Sequence, residues 1–294
     1  MKNPFYILDV FAQEKYSGNQ LAVVRNAASI SDAVMQKIAK EINFSETAFI
    51  LSDDKRNGAY DVRIFTPAHE IPFAGHPVLG TAYVIQQEII KECVDSLILN
   101  LKIGQITVTI NYKDNSPETL WMRQIQPVFG EVIGAEVIAE VLGLDADDID
   151  SRYPVQEVST GLPFIITPLK GMKAVKKCSI NKDKYLELIN KTEAKAIFVF
   201  SPETYEEGND LNARMFADYY GIPEDPATGS ANGCLGGYLV KHGYFRDKQI
   251  SIRVEQGYEI GRRSLILVNA EEKGGAIDIS VGGKVIMVSR GELV

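Results

Sequence analysis

The 294-residue chain reads as an α+β protein built from two similar β-rich halves, each curled around one apolar helix. Three observations predict this. Short β-branched or alternating runs, separated by Asn, Asp, Gly and Pro, recur from end to end, while few segments carry a helical pattern. Arg63-Ile64-Phe65, Gly75, Leu79-Gly80 and Tyr83 recur in order, with drifting spacings, as Arg214-Met215-Phe216, Gly229, Leu235-Gly236 and Tyr238, the mark of an internal duplication. The glycine-rich faces of two helical segments suit a sheet that wraps closely and leaves little space for side chains.

Strands are expected at Phe5–Val10 and Leu21–Val24, bracketing the turn Tyr16-Ser17-Gly18-Asn19. Ser31 reads as the N-cap of a helix through Glu41, with Val34, Ile38 and Ile42 on one face. Strands Thr47–Leu51 and Tyr60–Phe65 precede a helix from Pro77 to Gln87, where proline is tolerated in the first turn. Ser96–Leu101 and Ile106–Tyr112 follow as strands. Gln126–Gly130, with its proline and glycine near mid-chain, is the expected hinge. The expected domains are therefore 1–125 and 126–294, with the placement of the last strand left open. In the second half Val155–Val158, Phe164–Thr167, Ala196–Phe200, Leu211–Phe216, Gln249–Val254 and Ser264–Leu267 read as strands. Asp183–Asn190 and Ser230–Lys241 read as helices.

Composition narrows the function classes. A net charge of −8 argues against a nucleic-acid surface, because phosphate binding needs clustered Lys and Arg. The acidic runs Asp145–Asp150 and Glu203–Asp210 read as solvated loops. No stretch approaches the ~20 apolar residues of a membrane span. The amino terminus lacks a signal-peptide pattern. Three widely spaced cysteines, Cys93, Cys178 and Cys234, fit a reducing compartment, so a cytoplasmic protein is expected.

The chemistry concentrates at two glycine-centred turns, Ala74–Pro77 and Asp225–Ser230, each placed directly before a helical segment. A helix start presents unpaired N–H groups and a positive dipole end, which suits a carboxylate or a developing oxyanion. Two such turns, one per half, suggest a small anionic substrate. Glu46 enters a strand among apolar and aromatic residues, where a carboxyl's ionised form is disfavoured and proton transfer is favoured; an edge carboxylate or a capping partner would carry the same pattern. His76, between Gly75 and Pro77, is a second acid/base candidate or a histidine that satisfies local backbone groups. Asp225 would orient a substrate amine or hydroxyl, or serve as an Asx-turn residue. Ser230 lies outside any GxSxG elbow, so a hydrolase nucleophile is not expected. His69 and His76 cannot share a helix face across Pro72, Gly75 and Pro77, which disfavours a metal site. Gly282-Gly283-Lys284 lacks a phosphate-loop pattern, and no cofactor is expected.

Taken together, Gly18-Asn19-Gln20-Leu21-Ala22-Val23-Val24, Phe44-Ser45-Glu46-Thr47-Ala48-Phe49, Arg63-Ile64-Phe65-Thr66-Pro67, Pro72-Phe73-Ala74-Gly75-His76-Pro77 and Asp225-Pro226-Ala227-Thr228-Gly229-Ser230-Ala231 resemble the PhzF family of phenazine biosynthesis over nearly the whole chain. One departure is Gln20, where many relatives carry proline. The resemblance implies the diaminopimelate-epimerase fold: two pseudo-symmetric domains, each a barrel-like sheet around a central helix, with the site in the cleft between them. It implies cofactor-free isomerisation of a small carboxylate and a homodimer. It also implies that Glu46 moves a proton between carbons, with His76, Asp225, Gly75 and Ser230 at the site and Gly229 beside them. Related epimerases use two opposed cysteines, and here no cysteine falls in either turn; Cys234, one helical turn beyond Ser230, reads as a packed core thiol. Epimerisation with Glu46 and another base, or a non-catalytic carboxylate-binding protein, are the alternatives.

Overall fold

Apolar alternation and β-branching become strands almost wherever they occur in the computed structural model, which describes residues 3–294. The chain divides into two units, one running to Arg123 and including Gly282–Val294, the other Gln124–Val281. In the first unit lie β1 (Asn3–Val10), β2 (Asn19–Val24), α1 (Asp32–Ile42), β3 (Thr47–Ile50), β4 (Tyr60–Phe65), β5 (Glu70–Ile71), α2 (Gly75–Val84), β6 (Ser96–Leu101), β7 (Gly104–Lys113) and β8 (Ser116–Arg123). The second unit starts with β9 (Val128–Ile133), α3 (Ala135–Leu142), β10 (Val155–Ser159), β11 (Pro163–Pro168), α4 (Met172–Lys177) and α5 (Lys182–Ile189). It continues through β12 (Ala196–Ser201), β13 (Leu211–Ala217), β14 (Ile222–Asp225), α6 (Gly229–Lys241), β15 (Gln249–Gln256), β16 (Ser264–Lys273) and β17 (Ala276–Gly283), whose last two residues count with the first unit. The final strand, β18 (Val285–Leu293), pairs antiparallel with β1 and so belongs to the first unit.

The two units repeat one pairing pattern. β1 and β2 are antiparallel, β2 and β3 parallel, β3 and β4 antiparallel. β4 then pairs antiparallel with β5 and parallel with β6, which pairs antiparallel with β7. Strands β10 to β16 reproduce this series step for step. Even the outer neighbour matches, since β9 lies antiparallel to β10 as β18 does to β1.

Each unit has a central helix. α2 touches β1, β2, β3, β6, β7, β8 and β18, and α6 touches β10, β11, β15 and β16. Helices enclosed on most sides must be apolar nearly all round, and nine of the ten α2 residues are buried. Close approach explains the glycines. A Cβ on Gly80 would stand 2.4 Å from Leu21 Cδ2, and one on Gly236 2.8 Å from Val268 Cγ1. Outside these sheets, α1 packs Met35 and Ala39 against Val24, Phe49 and Phe65, while α3, α4 and α5 build a second cluster with Ile165, Ile197 and Val199.

Several expectations need correction. Met35 and Ala39, not Val34, form the buried stripe of α1; Val34 is 44% exposed. The division falls at Arg123/Gln124, two residues before the expected 125/126 boundary, and Val128–Gly130 of the expected hinge segment lie in β9, which pairs with β10. The second helix starts two residues before Pro77 and ends in a π-helical turn, Ile85–Ile90. In the run Asp145–Asp150, Asp145 and Asp148 form a capping box, and Asp150 is buried against Arg152.

Candidate active site

Glu46 is delivered by two local devices. Asn43 ends α1 in the left-handed region, φ 58°, turning the chain toward the sheet. β3 then begins at Thr47, parallel to β2 and opposite Ala22, so Glu46 stands at the strand's entrance near the start of β2. His76 is the second residue of α2 and is buried. Its Nε2 lies 3.3 Å from Glu46 Oε2, with the two side chains 6% and 12% exposed. The other ring nitrogen donates to the Gln20 backbone, and burial pushes the imidazole down to about 3. His76 is therefore neutral near pH 7, with its proton at Nδ1 and an accepting Nε2 turned toward the carboxyl. The Gln20 contact uses a carbonyl that proline would also supply, so the departure at Gln20 does not disturb it.

Asp225 ends β14 and is buried. Thr228 Oγ1 donates to Asp225 Oδ2 at 2.5 Å. Gln256 organises the turn: its Nε2 donates to the Asp225 carbonyl at 2.9 Å and to Thr228 Oγ1 at 3.0 Å, and its Oε1 accepts from the Thr228 N–H at 3.1 Å. Asn232 Nδ2 closes the network on the Thr228 carbonyl and Gln256 Oε1. α6 starts at Gly229, and Ser230 is the part of its first turn that is not buried. Neither Ala74, at the start of α2, nor Thr228, at the start of α6, caps its helix with a side-chain hydrogen bond. Both helix starts keep their positive ends available to an anion.

The fold thus brings Glu46, Gly75 and His76 together in one unit and Asp225, Gly229 and Ser230 together in the other. Sequence reasoning missed Thr228 and Gln256 and noted Gln20 only as a departure from the family pattern, not as the backbone partner of His76. Thr228 lies inside the Asp225–Ser230 motif and could have been found there; Gln256 is buried at the end of an alternating strand, with no local signal. His69 lies in the turn before β5 and His242 bonds Gln156. Among the described residues no cluster of His, Cys, Asp and Glu could hold a metal ion. Cys178 and Cys234 are buried, which pushes both thiols up to about 12. Among the described residues no helix is long and apolar enough to cross a membrane.

Comparison with known proteins gives the family and the fold. The family model of phenazine biosynthesis-like proteins, PhzC-PhzF, matches residues 8–291. A trans-2,3-dihydro-3-hydroxyanthranilate isomerase of Pseudomonas chlororaphis is 32% identical, across 99% of both chains. A PhzF-family phenazine biosynthesis protein of Bacillus anthracis superposes with a TM-score of 0.91 at 27% identity, covering 100% of this chain and 99% of that one. A probable proline racemase of Agrobacterium radiobacter shares the fold at 10% identity and a TM-score of 0.64, over 99% and 93% of the two chains.

Proposed function

This chain belongs to the phenazine biosynthesis-like (PhzF) family and is an isomerase, and from that premise we propose that it moves a proton between carbons of a small cyclic amino carboxylate, with Glu46 as the group that carries it. The observation that supports this reading best is the Glu46–His76 pair, 3.3 Å apart and buried. A neutral imidazole supplies no countercharge, so Glu46 is not neutralised as it would be by an imidazolium. A proton arriving on Glu46 Oε2 gains an O–H···N hydrogen bond to Nε2. The pair therefore favours the state in which the substrate's proton rests on Glu46, which is the intermediate of a proton migration.

The rest of the reaction needs charge stabilisation. As the C–H bond breaks, electrons flow toward the substrate carboxylate and form an enolate-like system. The first-turn N–H groups of Gly75 and His76 suit that charge. Gly229 and Ser230, at the start of α6, suit an anionic substrate group, and Asp225 accepts from a substrate amine or hydroxyl. Glu46 then returns the proton to another carbon, with no net gain or loss of atoms. The relative from Pseudomonas chlororaphis is named for trans-2,3-dihydro-3-hydroxyanthranilate, which makes that compound the first substrate to test. A homodimer belongs to the same reading.

In deuterium oxide, Glu46→Gln is expected to lower the rate of label transfer into that compound by a factor of about 100 to 10,000. Binding, measured by calorimetry, should stay within about threefold, because the variant keeps the shape. Full turnover by Glu46→Gln would refute the assignment. Inversion at one carbon, with label but no double-bond migration, would select an epimerase instead.

A further inference from the structure

The repeated triplets Arg63-Ile64-Phe65 and Arg214-Met215-Phe216 do more than mark a duplication. Each arginine makes the same fork. Arg63 Nε and Nη2 donate to Glu70 Oε1 and Oε2, both at 2.9 Å. Arg214 Nε and Nη2 donate to Glu224 Oε1 and Oε2 at 2.9 and 2.7 Å. The third nitrogen of each reaches a crossover helix: Arg63 Nη1 meets Asp32 Oδ1 at the start of α1, and Arg214 Nη1 meets the Val175 and Cys178 carbonyls at the end of α4. Each guanidinium also lies over the ring two residues on, 5.1 Å from the Phe65 centroid and 4.8 Å from that of Phe216.

The glutamates stand at matching places. Glu70 is half of the two-residue strand β5, the last paired segment before α2 and His76. Glu224 lies on β14 directly before Asp225. Adjacent strand residues point to opposite faces, so the second fork grips β14 on the side away from Asp225. Only two residue pairs, Ile64 with Ile71 and Phe65 with Glu70, tie β5 to β4. A bidentate fork fixes both distance and plane, which a point charge does not.

We infer that the repeated fork is a positioning device: Arg63–Glu70 sets the start of α2 and with it His76, and Arg214–Glu224 sets Asp225. This rests on the site reading above for its catalytic consequence, although the positions themselves can be read without substrate.

The test uses the full chain carrying Arg63→Met with Glu70→Leu, since removing both charges leaves only the exposed Asp32 and Lys102 without these partners and no buried ion uncompensated, and Arg63→Lys, which keeps the charge without the fork. Long-range proton–nitrogen spectra read the ring nitrogens of His76, one of three histidines in the chain. The double variant is expected to melt within about 3 °C of the parent. It should lose the signature of a proton fixed on Nδ1 and show averaging of the two tautomers. With trans-2,3-dihydro-3-hydroxyanthranilate, kcat should fall about tenfold or more, since small misplacements at a reacting centre are costly, while KM stays within about threefold. A folded double variant with the parental His76 signature would overturn the proposal. Should it not fold, Arg63→Lys gives the same reading: an unchanged signature overturns, an averaged one supports. Glu46→Gln run in parallel separates the two ideas, because its full turnover would sink the catalytic reading while the nitrogen spectra still decide the fork.

Discussion

Acid should destabilise this protein through His76 in a measurable way. The imidazole titrates at 6.5 when solvated and at about 3 in the fold, where burial disfavours the cation. The folded value lies below the unfolded one, so above about pH 6.5 there is no penalty. The penalty grows as pH falls, because the unfolded chain takes up a proton that the native chain refuses, and it is complete near pH 3. Each pH unit inside that window costs about 1.4 kcal/mol, which sums to about 3 kcal/mol by pH 4. Other acid-sensitive groups act on the parent and a His76 variant alike, so the comparison isolates this one. Urea melts of the parent and His76→Gln at pH 7, 6, 5 and 4 provide the assay. With a slope of about 3 kcal/mol per molar urea, the parent's midpoint should fall about 1 M further than the variant's by pH 4. Parallel midpoints across that range would show that His76 is not held neutral, and the acid–base argument built on its accepting Nε2 would fail with it.

Two further outcomes follow from packing and burial. Gly80→Val would place atoms within 2.4 Å of Leu21 Cδ2, whose side chain is fully buried, so it should cost about 1–3 kcal/mol and lower the melting temperature by several degrees. Gly291→Ala, with nothing within 4 Å of the new carbon, is the control and should change stability by less than about 0.5 kcal/mol. Iodoacetamide at pH 8 should add one group to the native chain, at the exposed Cys93, with Cys178 and Cys234 reacting only on unfolding, as mass spectrometry would read.

The elements that sequence patterns revealed are those whose signal is local. Tyr60–Phe65 and Ser96–Leu101 alternate strongly, and each became a strand with those ends. Ser31 was legible as the N-cap position of α1, where a short polar residue precedes an apolar periodic run, although its side chain makes no capping hydrogen bond. β5 and β14 were not, since strands of two and four residues carry no period of their own and exist through pairing with β4 and β13. Val34 misled because a face drawn at i, i+4 and i+8 cannot say which neighbouring stripe meets the sheet. At the site, Glu46 and His76 stood out as polar residues in apolar or turn settings. Their approach to 3.3 Å was invisible, because thirty residues and three strands separate them and it depends on sheet pairing such as that of β2 with β3, which no local pattern shows. Gln256 was illegible for the same reason: its partners Asp225 and Thr228 are brought to it through β13, which pairs with both β14 and β15.

On the proposed reading, the duplicated scaffold bears on why proton migration, and not racemisation by a pair of thiols, is the chemistry to expect of this chain. Each unit ends a short strand, held by an arginine fork, at the start of an enclosed helix, and that helix start suits anionic charge whatever side chain lies beside it. The chemistry is then decided by what else stands at the two starts. Matched thiols would give two equivalent bases and inversion at a single carbon. Here the starts are unequal: one carries His76 with Glu46 against it, the other Asp225 tied to Thr228. The thiols in the sequence lie elsewhere, and the two buried ones are pushed up to about 12, far from a working base at neutral pH. On the proposed reading a single carboxyl takes a proton from one carbon and delivers one to another, whereas inversion needs a second base opposed to the first, so unequal starts fit migration better than inversion. Double-bond migration in deuterium oxide, with label at the newly formed C–H bond and no inversion at the cleaved carbon, is the signature of that difference. Inversion at the cleaved carbon with label but without migration, as two opposed bases would give, would argue for the epimerase reading.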